Sequence, residues 1–186
     1  MSESMQGDDT PGAGRERAPN PHRYGWAEML TLGIAMNAAA QLLGPPAAAR
    51  SEYARSTRPP FAPPAWLFGV AWPINNFLTL WGNRHVLNSP PSPDRTAYLR
   101  LQAATWALFM TYGLARFRLK SPILGYANAV LYLSLTLASA VRVSRIDRSL
   151  LASYATLIPW LVLATTLSAY QLGDPDPLLD GFHHRA

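Results

Sequence analysis

The sequence has no cysteine, so disulfides, thiolate metal sites and thiol nucleophiles are excluded. Charge is scarce as well: Asp, Glu, Lys and Arg make up 15% of the 186 residues, against roughly 25% in soluble domains. All 11 acidic residues fall in tails, links or the first turn of a helix, and His22, His85, His183 and His184 lie outside the apolar intervals. A proton relay or ion-coupled pump built from buried carboxylates is therefore unsupported. No carboxylate pair, Ser–His–Asp set, HExxH or glycine-rich phosphate loop is present. His183-His184 lack a third ligand and read as a solvated pair, so no metal site is expected. Lysine occurs once, and the net charge of +5 comes from arginines spread over every link. Nucleic-acid binding wants a basic patch on one folded face, and that partner class is set aside.

Where charge is missing, aromatic and apolar residues take its place. From Pro59 to Asn83 the chain is uncharged, and it reads F-A-P-P-A-W-L-F-G-V-A-W-P-I-N-N from Phe61 to Asn76. The pairs Pro59-Pro60 and Pro63-Pro64 fix φ and lack N–H donors, so an extended, stiff loop is expected over 58–64. A helix starts well at Pro64 or Ala65, because a first-turn proline loses no hydrogen bond. On that helix Phe68, Trp72, Asn76, Thr79 and Asn83 recur at steps of three or four and share a face. Such a face reads as a pocket wall.

The whole chain forms one domain with tails. Residues 1–24 are polar, acid-containing and rich in Gly and Pro; they resemble neither a signal nor a transit peptide, and disorder is expected. Apolar segments follow at about 26–44, 65–83, 97–115, 121–141 and 149–172, then a loose polar tail over 173–186. Segments near twenty residues joined by short basic links predict an all-α, five-transmembrane-helix bundle with the lipid bilayer as its partner. A soluble bundle would need charged outer faces that these segments lack. Arginines at segment ends, and Arg100 in a first turn, are expected to snorkel to headgroups. Nine Lys/Arg on the N-terminal side against seven on the other give a thin bias toward a cytoplasmic N-terminus. Gly33, Asn37, Ala40, Gln41 and Gly44 form a small-residue seam on the first segment, suited to close helix approach.

The run Arg58, Pro59, Phe61, Pro63, Pro64, Trp66, Phe68, Gly69 and Trp72 resembles the first-loop and second-helix signature of the TspO/MBR family. These are the tryptophan-rich sensory proteins related to the translocator protein. Trp160, Ala164 and Leu167 resemble the family's last span in their spacing. The two regions cover about a third of the chain. Departures are Phe61 in place of the usual Trp, Asn75-Asn76 for Leu-Tyr, Thr156-Leu157 for Pro-Tyr and Ser168 for Asn. The resemblance implies a multi-pass protein, with a bacterial membrane expected. It also implies a flat hydrophobic ligand: a porphyrin, haem or, in some members, a sterol.

Aromatic walls with a few placed polar groups hold such ligands. The candidate site is Phe61 as a lid, Trp66, Phe68, Trp72, Asn76, Trp106, Trp160, Ala164 and Leu167, with Arg58 placed to meet a propionate. Each has a plainer reading. Trp66 could serve only as an interfacial belt residue, the deeper indoles as packing, and Asn75-Asn76 as a helix bridge. Pro73 and Pro159 could open a cavity or mark tolerated kinks. No His or Cys is placed to ligate haem iron inside the spans, so no cofactor is required, and stacking of metal-free porphyrin is expected. Leu108–Tyr112–Arg116 matches a sterol-contact pattern formally, a signal of little weight. Three roles follow. The leading one is ligand binding for sensing, regulation or transport. The others are oxidative or light-dependent porphyrin breakdown, and membrane assembly without a ligand, as in a homodimer through the small-residue seams.

Overall fold

A computed structural model describes residues 23–178, apart from Pro45 and the side chains of Pro46 and Ala48. Among the described residues it is all-helical. The α-helices are α1 (Trp26–Leu43), α2 (Pro46–Arg55), α3 (Ala65–Leu87), α4 (Pro93–Gly113), α5 (Pro122–Ile146) and α6 (Leu157–Tyr170). A π-helical turn (Leu114–Arg118) extends α4, and 3₁₀ segments precede and follow α6 at Arg148–Tyr154 and Gln171–Gly173.

Local chemistry sets most of these boundaries. Two helices begin with the same Ser-Pro device. Ser92 Oγ accepts from Arg95 N–H at 3.1 Å and Ser121 Oγ from Leu124 N–H at 3.1 Å, with Pro93 and Pro122 in the first turn. Asp147 caps the 3₁₀ segment by accepting from Ser149 N–H at 2.8 Å. Hydrogen bonds from Ser149 hold its carboxyl below the usual carboxylate range. At the other end of the π turn, Lys120 takes a left-handed conformation (φ 55°) that stops the helix before Ser121.

Departures from the sequence reading have local causes. The link after α1 contains a sixth helix, α2, rather than being a plain connection. Its A-A-A-R-S-E-Y-A-R run is a good helix former but carries no hydropathy signal. The last apolar segment is not one continuous helix. Pro159 has no N–H for the carbonyl of Ala155, so the α-helix restarts at Leu157 with Pro159 in its first turn, and residues before it adopt 3₁₀ geometry. The 58–64 loop also turns at Pro60-Phe61, where Ala62 N–H donates to Pro59 O at 3.0 Å, instead of running straight. Helices α4 and α5 run past the apolar segments where their terminal turns pair Asp94 with Arg142 at 2.8 Å, and α3 does so where Arg95 donates to Val86 O at 3.1 Å and Leu87 O at 2.9 Å.

The helices close into a ring. α1 packs on α3 and α4, α4 on α5, α5 on α6, and α3 returns to the Arg148–Tyr154 segment. Glycine permits the closest approaches. A Cβ on Gly113 would lie 2.8 Å from Gly44 Cα, so α1 and the end of α4 meet backbone to backbone. A Cβ on Gly33 would strike Leu80 Cδ1 at 2.6 Å, where α1 crosses α3. The small-residue seam of α1 is thus used within the chain.

Polarity is distributed inside out. Asn75, Asn76, Thr79, Asn83, Gln102, Thr105, Asn128, Thr136 and Ser139 are buried. Leu30, Ile34, Leu42, Val70, Ile74, Phe77, Leu131, Val141 and Val162 face outward. Two stretches, Pro122–Ile146 and Arg148–Gly173, are long and apolar enough to cross a membrane, with mean hydropathies of 1.4 and 1.7.

Candidate functional site

Rings from four helices meet in the interior. Phe68 sits edge-on to Trp160 with centroids 5.1 Å apart, and Trp160 is edge-on to Trp72 at 6.2 Å. Trp72 lies against Phe109 at 5.3 Å and stacks parallel to Tyr132 at 6.3 Å. Phe109 meets Trp106 at 5.5 Å. The α3 periodicity places Phe68 and Trp72 on one face, α6 supplies Trp160, α4 supplies Trp106 and Phe109, and α5 supplies Tyr132. These distances are those of favourable aromatic pairs, each worth about 0.5–1.5 kcal/mol beyond its buried area.

Beneath the rings runs a buried hydrogen-bond chain. Gln102 Nε2 donates to Tyr154 Oη at 2.9 Å, Tyr154 Oη to Tyr98 Oη at 3.2 Å, and Tyr98 Oη to Asn83 Oδ1 at 2.8 Å. It ties α3, α4 and the 3₁₀ segment into a rigid floor.

Above the rings lies the first link. Tyr53 of α2 packs edge-on to Phe68 at 5.2 Å and donates to Pro63 O at 2.6 Å. Arg58 stacks over the Tyr53 ring with its guanidinium carbon 5.1 Å from the centroid. Phe61 is half exposed and packs edge-on to Tyr170 at the end of α6, 6.0 Å away. The link is fastened from below by Asp174, which accepts from Thr57 Oγ1 at 2.6 Å and from Thr57 N–H. Glu52 of α2 meets the buried Arg116 at 3.0 Å. Asp176 accepts from Ser121 Oγ at 2.6 Å, so residues 174–176, expected in a loose tail, hold the start of α5 and the lid.

The structure therefore brings together Phe68, Trp72, Trp106 and Trp160. It places Phe61 and Arg58 in the covering link. Trp66 is 68% exposed and points away from the cluster, as a belt residue would. Asn76 bridges helices instead of lining the rings: its Nδ2 donates to Asn37 Oδ1 at 3.1 Å. Ala164 and Leu167 follow Trp160 along α6, Leu167 buried and Ala164 half-buried. Sequence reasoning missed Tyr53 and Tyr132. Tyr53 carried no signal because its helix was read as a link, and Tyr132 sits in an apolar run where periodicity does not separate inward from outward positions. Arg116 also departs from the headgroup expectation, since it is buried against acids rather than turned toward lipid. The sterol-contact pattern ending at Arg116 loses its basic residue for that reason. His183 and His184 lie outside the described residues, and among those described no His, Asp or Glu cluster could hold a metal.

A helical ring with apolar side chains outside, carboxamides and hydroxyls inside and an aromatic cluster under a proline-built cover defines a membrane-associated class of protein. The chain matches the TspO/MBR family over residues 29–172, most of its length, and belongs to that family. No curated protein matches it significantly.

Proposed function

We propose that the chain crosses the membrane with five segments, α1, α3, α4, α5 and the 148–173 stretch, and binds a porphyrin-type flat hydrophobic ligand among Phe68, Trp72, Trp106, Trp160 and Tyr132. Its role is sensing, regulation or transport. Support for the spans comes from the inside-out polarity, which suits a bundle solvated by acyl chains and not by water. The single observation carrying the ligand reading is the connected aromatic cluster under a separate cover. Its rings touch one another, so a flat ligand enters by parting Trp72 from Trp160 and takes over their stacking surface. Arg58, seated on Tyr53 at the edge of the cover, is in position to swing to an anionic substituent.

Titration of the purified full chain with protoporphyrin is the test. Saturable quenching of tryptophan emission is expected, weakened about tenfold or more in Trp72→Ala and Trp160→Ala. Unchanged affinity in both variants removes the proposed site.

A further inference from the structure

A groove of about 280 Å³ runs between α5 and the end of α4 with its π turn. Leu108, Leu114 and Leu119 wall it on one side, and Leu124, Ala127 and Leu131 on the other. Leu119, Leu124, Ala127 and Leu131 are exposed, so the groove opens outward, and no ring of the aromatic cluster lines it. Its two polar members, Thr111 and Asn128, turn their donors to Ala107 O and Leu108 O.

The π turn shapes one end of this groove. Leu119 N–H donates to Leu114 O at 2.9 Å, a reach of five residues that widens the helix. Lys120 then takes φ 55°, a conformation in which glycine usually ends a helix. Arg118 and Lys120 bracket Leu119, and both are exposed. Among the described residues neither has an ion-pair or hydrogen-bond partner. Acids at this end of the bundle are engaged elsewhere. Glu52 and Asp174 meet Arg116, and Asp176 is buried against Ser121 Oγ and Ile123 N–H.

We propose that this groove binds one anionic phospholipid, with an acyl chain laid between α4 and α5 and the phosphate held by Arg118 and Lys120. Apolar walls and paired charge select the ligand together. The leucine and alanine walls accept an acyl chain and offer a polar solute no free hydrogen bond. Two cations on either side of Leu119 meet a phosphodiester by charge-assisted hydrogen bonds. Each basic group near a membrane surface favours an anionic lipid by roughly fivefold. Phosphatidylcholine opposes that attraction with its own ammonium, and a sterol brings only a neutral hydroxyl. A lysine at positive φ is a local cost, and such outliers cluster where a ligand is held.

Length fits the same occupant. From Leu124 to Leu131 the α5 wall rises about 10 Å, against about 15 Å of hydrocarbon in one leaflet. The groove therefore holds most of one chain and leaves the second among bulk lipid. The site depends on the spanning half of the proposed function, which sets Arg118 and Lys120 at headgroup level, and requires nothing of the aromatic cluster.

The test uses the full chain in phosphatidylcholine vesicles containing trace phosphatidylglycerol or phosphatidylcholine, each with the same photoactivatable acyl chain. Labelled peptides are then mapped by mass spectrometry. At low salt, phosphatidylglycerol is expected to label residues 108–131 about tenfold more than phosphatidylcholine does. At about 1 M salt, where the Debye length is about 3 Å, the preference should largely disappear. Arg118→Gln/Lys120→Gln should abolish it and leave phosphatidylcholine labelling unchanged. Ala127→Phe, which fills the groove and keeps both charges, should reduce labelling by either lipid. Equal labelling by the two lipids in the unaltered protein overturns the proposal, as does a preference that survives the double substitution. Arg50→Gln/Arg55→Gln removes two exposed charges from α2, which packs on the π turn. An equal loss there overturns the site in favour of general surface charge. A changed oligomeric state in Ala127→Phe overturns it by making the groove a contact between copies. An alkaline wash separates the two readings. A chain that the wash releases sinks the spanning reading and the site with it, whereas a retained chain without preference sinks the site alone.

Discussion

Arg116 and Glu52 form an ion pair of 3.0 Å in which the guanidinium is almost wholly buried and the carboxylate keeps some contact with solvent. The same guanidinium donates from Nε to Gln171 Oε1 at 2.9 Å and lies 3.7 Å from Asp174 through its second terminal nitrogen. One cation at the end of α4 thus gathers α2, the chain after α6 and, through Asp174, Thr57 of the covering link.

That arrangement predicts unequal effects from its members. Removing one partner of a buried pair costs about 3–5 kcal/mol when the remaining charge is stranded. Here the stranded group after Glu52→Gln is a buried Arg116 that still has Asp174, so a smaller loss is expected for either acid alone. The double variant Glu52→Gln/Asp174→Asn should reach the full loss of about 3–5 kcal/mol, and adding Arg116→Met should restore much of it. Thermal unfolding in detergent checks the series. A triple variant no more stable than the double would show that the guanidinium is not what strands.

The same clamp holds the cover shut, so its loss should be visible in proteolysis. Arg55 is exposed at the end of α2, while the adjoining Ser56 is buried. Asp174→Ala removes the Thr57 hydrogen bonds and should speed tryptic cleavage after Arg55 several-fold, since cleavage follows the population of the opened state. Rates equal to those of the unaltered protein would mean that the link is held by its ring contacts alone.

Asn75→Leu should raise stability, against the usual direction for a core substitution. Its carboxamide is buried and unpaired, and an unsatisfied group of that kind costs about 1–3 kcal/mol. Leucine of similar size suits the adjoining Leu67 and Ile74. A higher midpoint in the ligand-free protein is the expected outcome. A lower one would indicate a hidden partner for Asn75.

What the sequence disclosed and what it hid divide along physical lines. Neutral intervals bounded by Pro, Gly and basic residues revealed the long helices, and the three-to-four spacing of Phe68 and Trp72 revealed one wall of the site. Helix α2 is hidden because a polar helix docked on a bundle carries no hydropathy signal. Spacing alone puts Asn76 on the ring face. Spacing does not say whether a neighbour such as Asn37 will claim the amide, and that partner sits 39 residues away. The burial of Arg116 is hidden in the sequence because the acids that surround it, Glu52 and Asp174, are distant along the chain.

Contact between Gly44 and Gly113 gives a sharper test of the ring than any apolar deletion. Gly113→Ala puts a methyl 2.8 Å from Gly44 Cα, and a backbone atom cannot rotate aside as a side chain does. The loss should be about 1–3 kcal/mol by overpacking. Gly69→Ala, whose added methyl meets nothing within 4 Å, should be neutral or slightly stabilising. The comparison is read as a difference in melting midpoint.

Testing the aromatic cluster requires separating packing from recognition. Trp72 touches Phe109, Tyr132 and Trp160, so Trp72→Ala should cost about 3–5 kcal/mol of stability and weaken any ligand indirectly. Phe68→Leu is cleaner: it keeps apolar volume and deletes a ring that reaches Trp160 on one side and Tyr53 of the cover on the other. Its stability change should stay below about 1.5 kcal/mol, while protoporphyrin affinity falls several-fold through lost stacking. Phe61→Ala acts at the cover. Phe61 is half exposed and contacts Tyr170 at the rim, so association and release should both accelerate with little change in Kd. Stopped-flow quenching distinguishes the two. Slower association in Phe61→Ala would mean that the ring guides the ligand in and does not gate it.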